Sequence, residues 1–331
     1  KTIDYLYRFQ GVSVSPSKLY RFLDSLNNTL KQQAEQIAFA HTLLLHNHHI
    51  SIVFYDMTTL YFETSDEDDL RKTGFSKEGK HQNPQIYLGL LVTLGGDAIG
   101  YDIYEGNIYE GHTLLPFIER ISQKFQIGKP IVVADAGLLS NSNITLLEQN
   151  GYGYILGARP KNESRDVCKQ ILQHKPGHDN YYVINKDDNT RLIIAYSDKR
   201  AAKDAHNRNR GLQRLEKQIK AGRLTKSSIN NKGYNKYLKM TGEVLISIDY
   251  EKFETDAQWD GIKGYLTNTR LSAKEVIDNY KELWQIEKAF RISKTDLRIR
   301  PIYHRIRNRI EAHICICFVA YKIVKELERL L

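Results

Sequence analysis

Apolar side chains in the first fifty residues recur every three or four positions. SPSKLYRFLDSL follows a serine cap, and TLKQQAEQIAFAHTLLLH continues in the same period, so residues 15–47 are predicted to be helical. The period then changes. SIVFYDMTTLYF is β-branched and aromatic and predicts a strand ending near Asp56. QIYLGLLVTL and AIGYDIYEG flank Gly95-Gly96-Asp97, which predicts a hairpin. HTLLPFIERISQKF returns to helical spacing, and PIVVADAGLL is a short buried strand that breaks at Asp135-Ala136-Gly137. A helix, SNSNITLLEQNG, closes at Gly151, and GYILGARP follows as another strand. Strand, hairpin, helix, strand, helix and strand over residues 50–160 predict a mixed sheet with helices, an α/β layered domain.

The pattern over residues 161–268 is different. YYVINKDDNTRLIIAYS predicts a hairpin, GLQRLEKQIKAGRL a helix, and EVLISIDYEKF and GIKGYLTNT strands. This segment is read as an insertion with strands of its own. From Ser272 the chain is helical to the end, broken at Pro301, and YKELWQIEKAFRISK (Tyr280 to Lys294) is read as one amphipathic helix. Four units follow: a helical segment at 1–48, a core at 49–160, the insertion at 161–268 and closing helices at 269–331.

Composition narrows the class. With 41% hydrophobic and 26% charged residues, the 331-residue chain has the make-up of a globular protein with a real core. No run approaches the ~20 apolar residues of a membrane span. The start, KTIDYLYRFQ, has neither a secretory pattern nor an initiator Met, which predicts a fragment. Cys168, Cys315 and Cys317 cannot build a disulfide framework or a zinc site, and are read as buried thiols of a reducing compartment. The net charge of +9 is concentrated: Lys199 to Lys239 holds thirteen Lys or Arg against Asp204 and Glu216. That excess of eleven predicts either a polyanionic partner or a solvated basic loop.

Three acids stand out against this pattern. Asp56 lies in VFYDMTTLYF and Asp135 in VVADAGLL, both beside buried strand residues. Glu287 shares a helix face with Tyr280, Leu283, Phe290 and Lys294, all within about 60° at 100° per residue. Each has a plainer reading: a turn residue or helix cap for Asp135, a turn cap for Asp56, an exposed helix position for Glu287. Read together, three converging carboxylates need cations between them, because bare like charges repel and protonate. Mg²⁺ takes a few carboxylate oxygens together with water and phosphate oxygens, and a pair of such ions serves phosphodiester displacement.

The stretches YDMTTLYFE, GFSKEGKHQNPQIYLGLLVTLGGDAIGYDIYEGN, IVVADAGLLS, SDKRAAKDAHNRNR and YKELWQIEKAFRISKTDLRIRPIYHRIRNRIEAHI, in this order, closely resemble DDE cut-and-paste transposases of bacterial insertion sequences, in the group typified by insertion sequence four. The resemblance runs from about Ser51 to the C-terminus. It implies an α/β fold: a ribonuclease-H-like mixed sheet flanked by helices, with a mostly β insertion between the second Asp and the Glu. It also implies a catalytic, metal-binding triad of Asp56, Asp135 and Glu287 holding two Mg²⁺ (or Mn²⁺) ions. The family signature of Tyr, Arg, Glu and Lys around the Glu is matched at Tyr280, Glu287 and Lys294; the Arg position is Leu283 here. The implied chemistry is cleavage at the ends of a mobile element, then attack by the freed 3′ hydroxyl on target DNA. A nuclease or resolvase that cuts without joining, and a non-enzymatic DNA-binding derivative of a transposon, are the alternatives.

The expected partners are double-stranded DNA, both terminal inverted repeats and target, and a second copy of the chain in the synaptic complex, with no membrane. The expected location is the bacterial cytoplasm, at the nucleoid. Expected DNA contacts near the triad are Tyr280, Arg291, Lys294, Arg298 and Arg300. Lys77 and Lys80 are expected from the polar loop before the second strand, and Arg208, Arg210 and Arg214 from the basic segment. Trp284 and His313 are read as core residues.

Overall fold

A computed structural model describes residues 2–76, 79–177, 180–241 and 245–331. The chain forms two compact units, residues 1–156 with 278–331 and residues 157–277.

The first unit opens with helices α1 (Thr2–Gln10), α2 (Pro16–Ser25) and α3 (Asn28–Leu45). Ser15 and Asn27 cap α2 and α3 by accepting the N–H groups of Lys18 and Leu30. There follow β1 (Ile52–Tyr61), β2 (Gln85–Thr93), β3 (Ala98–Glu105), α4 (Leu114–Phe125), β4 (Ile131–Ala134), α5 (Asn141–Gln149) and β5 (Tyr154–Ala158). The strands lie in the order β3-β2-β1-β4-β5. β1, β2 and β3 pair antiparallel, whereas β4 runs parallel to both β1 and β5. Every residue of β2 is buried, as a strand covered on both faces must be. On one face Tyr55 packs its ring 5.0 Å from Phe117 of α4 and shares a 2.8 Å hydrogen bond with Thr113. The other face carries the cross-strand row Asp56–Leu90–Tyr101.

The second unit contains α6 (Arg165–Gln173), β6 (Tyr181–Asn185), β7 (Arg191–Tyr196), α7 (Asp198–Lys220), β8 (Leu238–Thr241), β9 (Leu245–Ile248), α8 (Tyr250–Ala257), β10 (Ile262–Thr267) and the body of α9 (Ala273–Lys281). β7 pairs antiparallel with both β10 and β6, and β8 with β9 forms a separate ribbon. The segment is more helical than its sequence pattern suggests. α7 is one 23-residue helix, and YEKF belongs to α8 rather than to a strand, because the Asp249 carboxylate accepts the Lys252 N–H and starts a helix there. Leu215, Tyr237, Leu238, Ile248 and Phe253 form the buried core against α7.

Arg208 is a correction to the expected DNA contacts. It lies on the inward side of α7, ion-paired with Asp260 and 5.2 Å from the Phe253 ring, with 12% of its side chain exposed. It shares the helical period of Leu212 and Leu215, so its charge is consumed inside the unit.

The chain returns to the first unit with α10 (Trp284–Arg291) and α11 (Arg307–Leu330). α10 packs on β1 and β2, and α11 on α2, α3 and β3. Lys31 on α3, with 7% of its side chain exposed, reaches Glu311 on α11 at 2.6 Å. Cys315 and Cys317 are buried free thiols, as read from the sequence. His313 likewise faces inward, donating to the Ile299 carbonyl at 3.0 Å, and burial lowers its pKa. Trp284 departs from expectation: it is 46% exposed, because α10 begins there and its indole N–H turns back to Glu282 at 3.1 Å.

Asp256 ties the second unit together, accepting from Lys161, Lys236 and the Tyr237 hydroxyl. Burial opposes its charge, but these three donors outweigh burial and hold the carboxyl well below the ordinary 3.8. A depressed folded value stabilises fully above the unfolded value and is lost as pH falls through the folded one. Asp256→Asn is therefore expected to cost about 1–2 kcal/mol at neutral pH, the exposure of the lysines keeping it modest. In urea melts the gap to wild type should narrow steadily below about pH 4.

Candidate active site

The site begins with the parallel pairing of β1 and β4. Ile52, Val53 and Phe54 stand beside Ile131, Val132 and Val133. The ladder ends there: Asp56 lies two residues further along β1, and Asp135 two residues further along the chain, just past the end of β4. Asp56, still within β1, projects to the side of Phe54. That is the face on which α10 lies. Leu90, the β2 partner of Asp56, lines one small cavity with Phe290 of α10 and Phe318 of α11. Tyr55 and Met57, flanking Asp56, point the other way to Thr113.

The expected strand end at Asp56 is corrected. β1 continues to Tyr61, paired with β2 throughout, because MTTLY is as β-prone as the residues before it. The strand that stops is β4. After Ala134 the Asp135 carboxylate accepts the Gly137 N–H at 2.8 Å and turns the chain. A Cβ at Gly137 would stand 2.9 Å from that same oxygen, so a larger residue there would push the Asp135 carboxylate from its present place. Asp56 therefore stands where β1 loses its parallel neighbour. It is half-buried, its Oδ1 accepting the Met57 N–H at 2.7 Å, while Asp135 is exposed.

Glu287 comes from α10, which docks through buried Ile286, Ala289 and Phe290 and leaves Glu287 exposed. The single helix expected from Tyr280 to Lys294 is corrected. α9 ends at Lys281, Glu282 and Leu283 form a turn, and a π-helical turn spans Ile292–Asp296 after α10. Glu282 makes the break by accepting the Gln285 N–H at 2.9 Å through its carbonyl and the Trp284 indole through its carboxylate. Tyr280 is therefore outside the helical phase of Glu287. Half-buried Lys294 sits in the π-turn, a geometry that changes the phase of a helix and often marks functional positions.

The donor chemistry of Asp56 and Asp135 is that of carboxylates, the oxygen ligands a hard divalent cation prefers. Glu287 adds a third on the helix covering the same face. Among the described residues, no group of three or more Asp, Glu, His or Cys side chains is gathered into a ready-made metal cage.

Arg291 and Arg298 are exposed beyond Glu287, and burial lowers the pKa of half-buried Arg300. The Arg300 segment is fastened to the end of β1, where the Ile302 N–H donates to the Tyr61 carbonyl at 3.2 Å. Lys80 is exposed with its ammonium 5.2 Å from the Tyr61 ring, while Lys77 lies outside the described residues. In the second unit Arg210 and Arg214 are exposed on α7.

Comparison with known proteins adds the family. The transposase DDE domain model matches residues 47–323. A piggyBac transposase synaptic complex with hairpin DNA is similar at 11% identity over 97% of this chain and 61% of that one, with a TM-score of 0.47. A Mos1 transposase paired-end complex with the left transposon end is similar at 14% identity, over 46% of this chain and 53% of that one, with a TM-score of 0.24. The chain thus spans about three fifths of the first structure and about half of the second. Curated protein sequences yield no match. No helix among the described residues is long and apolar enough to cross a membrane. Since the family model covers well over half of it, the chain belongs to the transposase DDE domain family.

Proposed function

We propose that this chain is the catalytic core of a cut-and-paste DNA transposase that uses Asp56, Asp135 and Glu287 with two Mg²⁺ (or Mn²⁺) ions. The observation that supports the reading is the β1–β4 register: Asp56 and Asp135 each follow its last pair by two residues, and the helix of Glu287 packs on β1 and β2. Its substrates are the inverted repeats at the ends of a mobile element and the target duplex, bound by a homodimer at the bacterial nucleoid.

When bound, the divalent ions lower the charge cost of a phosphorane-like transition state and favour the deprotonated form of the attacking oxygen. The aspartates hold the charge centre at a fixed place, because β1 and the Asp135 turn are both anchored in the sheet. Glu287 completes the donor set from the helix side. In the first reaction water attacks the phosphorus, the P–O3′ bond breaks and the 3′ oxygen leaves as a hydroxyl. In the second, that hydroxyl attacks a target phosphorus, and one phosphodiester bond forms as another breaks. Lys294 and the exposed Arg291 and Arg298 hold phosphate oxygens, with Lys80, Arg300 and Tyr280 behind them.

Asp56→Asn, Asp135→Asn and Glu287→Gln should each reduce Mg²⁺-dependent cleavage of an element-end duplex to background, while binding by fluorescence anisotropy stays near wild type. Undiminished cleavage by Asp135→Asn would sink the assignment. Chelation by EDTA should stop cleavage, and Mn²⁺ should restore it. Joining of a pre-cleaved end into plasmid DNA separates this reading from a nuclease, which would cut and never join. Lys294→Gln should weaken binding of the pre-cleaved end about tenfold, the value of one charged hydrogen bond (about 1.4 kcal/mol); an unchanged Kd would remove Lys294 from the phosphate contacts.

A further inference from the structure

The excess basicity of this chain is ordered by α7. At 100° per residue, Lys199, Lys203, Arg210, Arg214 and Lys217 fall within about 60° of one another on that helix. All five are exposed, and none joins an ion pair or hydrogen bond among the described residues. The opposite side carries buried Gly211 and Leu215, with Leu212 and Ile219 packed beside them. The acids of the segment are used away from the stripe. Asp204 accepts the Gly261 N–H at 3.2 Å and pairs with Arg200 at 3.4 Å, and Glu216 accepts the Tyr250 hydroxyl at 3.2 Å. A row of five unneutralised cations thus runs for about 27 Å along a straight helix.

We infer that this face of α7 is a sequence-independent docking surface for the phosphate backbone of duplex DNA. It rests on the reading that the chain acts on DNA, and gives the second unit a phosphate-binding surface of its own. The length matches most of one duplex turn, about 34 Å. Only His206 and Asn207 interrupt the cations, so the stripe has no large apolar side chain of the kind that anchors a protein interface. His206 is the one ring on it, too few for the successive stacking platforms that a single strand needs. Long, mobile cations without base-reading partners suit phosphate, whose contacts position a duplex and carry no sequence.

The test uses the full chain and a labelled duplex of arbitrary sequence, about one to two helical turns long, with affinity measured by anisotropy between about 50 and 200 mM salt. In K199Q/K203Q/R210Q/R214Q/K217Q the slope of log affinity against log salt should fall by about 4.5, at about 0.9 per lost phosphate contact. Removing exposed lysines elsewhere in the unit, in K169Q/K252Q/K274Q, should change the slope by less than one contact. Circular dichroism melts should show all three proteins equally folded. An unchanged slope in the five-site variant overturns the inference, and so does an equal change per charge in the control, which would reduce the effect to net charge. Competition by polyglutamate as effective as by duplex DNA also overturns it, pointing to an acidic protein partner. Wild-type protein that binds duplex through the stripe yet shows no metal-dependent cleavage would sink the transposase reading and leave this one standing. Absence of any duplex binding would sink both.

Discussion

The arrangement of the first unit depends on three residues of parallel pairing between β1 and β4. β4 is only four residues long, and its IVVA sequence is held by burial between β1 and β5 rather than by length. Because side chains alternate along a strand, a one-residue slip there would turn Asp56 or Asp135 to the α4 face. Full burial of β2 and of Val132, Val133 and Ala134 makes such a slip costly, since it would trade apolar core for carboxylate. The carboxylates are therefore positioned by the core around them more than by contacts of their own.

Acids gathered at one site are an electrostatic liability in isolation. The structure limits it in two ways. Asp135 lies beyond the end of its strand and is exposed, where water screens it. Asp56 is half-buried, yet one of its oxygens accepts a backbone N–H. Glu287 approaches from a helix docked by Ile286, Ala289 and Phe290 and adds its negative charge at the surface. Carboxylates are the donors a hard cation prefers, and such a cation also takes phosphate oxygens.

Much of the fold was legible because local chemistry and burial agree. The hairpin at Gly95-Gly96-Asp97, the short strand before Asp135 and the buried cysteines of α11 all follow from turn residues and apolar runs. The aspartates proposed for the site also stand out in the sequence, as acids beside buried strand residues. Three features were not legible. That β1 outlasts its parallel neighbour depends on where β4 stops, and no residue of β1 reports that. The break at Glu282 and Leu283 interrupts a pattern that remains helical on a wheel, so only the hydrogen bonds of Glu282 reveal it. Arg208 sits in a run of cations, and charge alone does not tell which one turns inward; its period with Leu212 and Leu215 does. The start of α8 was readable in principle, since Asp249 is an ordinary helix cap.

β1 outlasts its parallel neighbour, and that overhang exposes the strand to a hazard besides displaying Asp56. The side of a strand without a ladder partner is a template on which another chain can lay itself down. Here the open stretch is stopped at one end by the Asp135 turn and at the other by the parallel bridge between Phe62 and Ile302. Between these stops lie about five residues, roughly 17 Å of strand. That is enough to present a carboxylate, and too little to nucleate a foreign strand, so the fold displays its acid while remaining closed to β-aggregation along that edge.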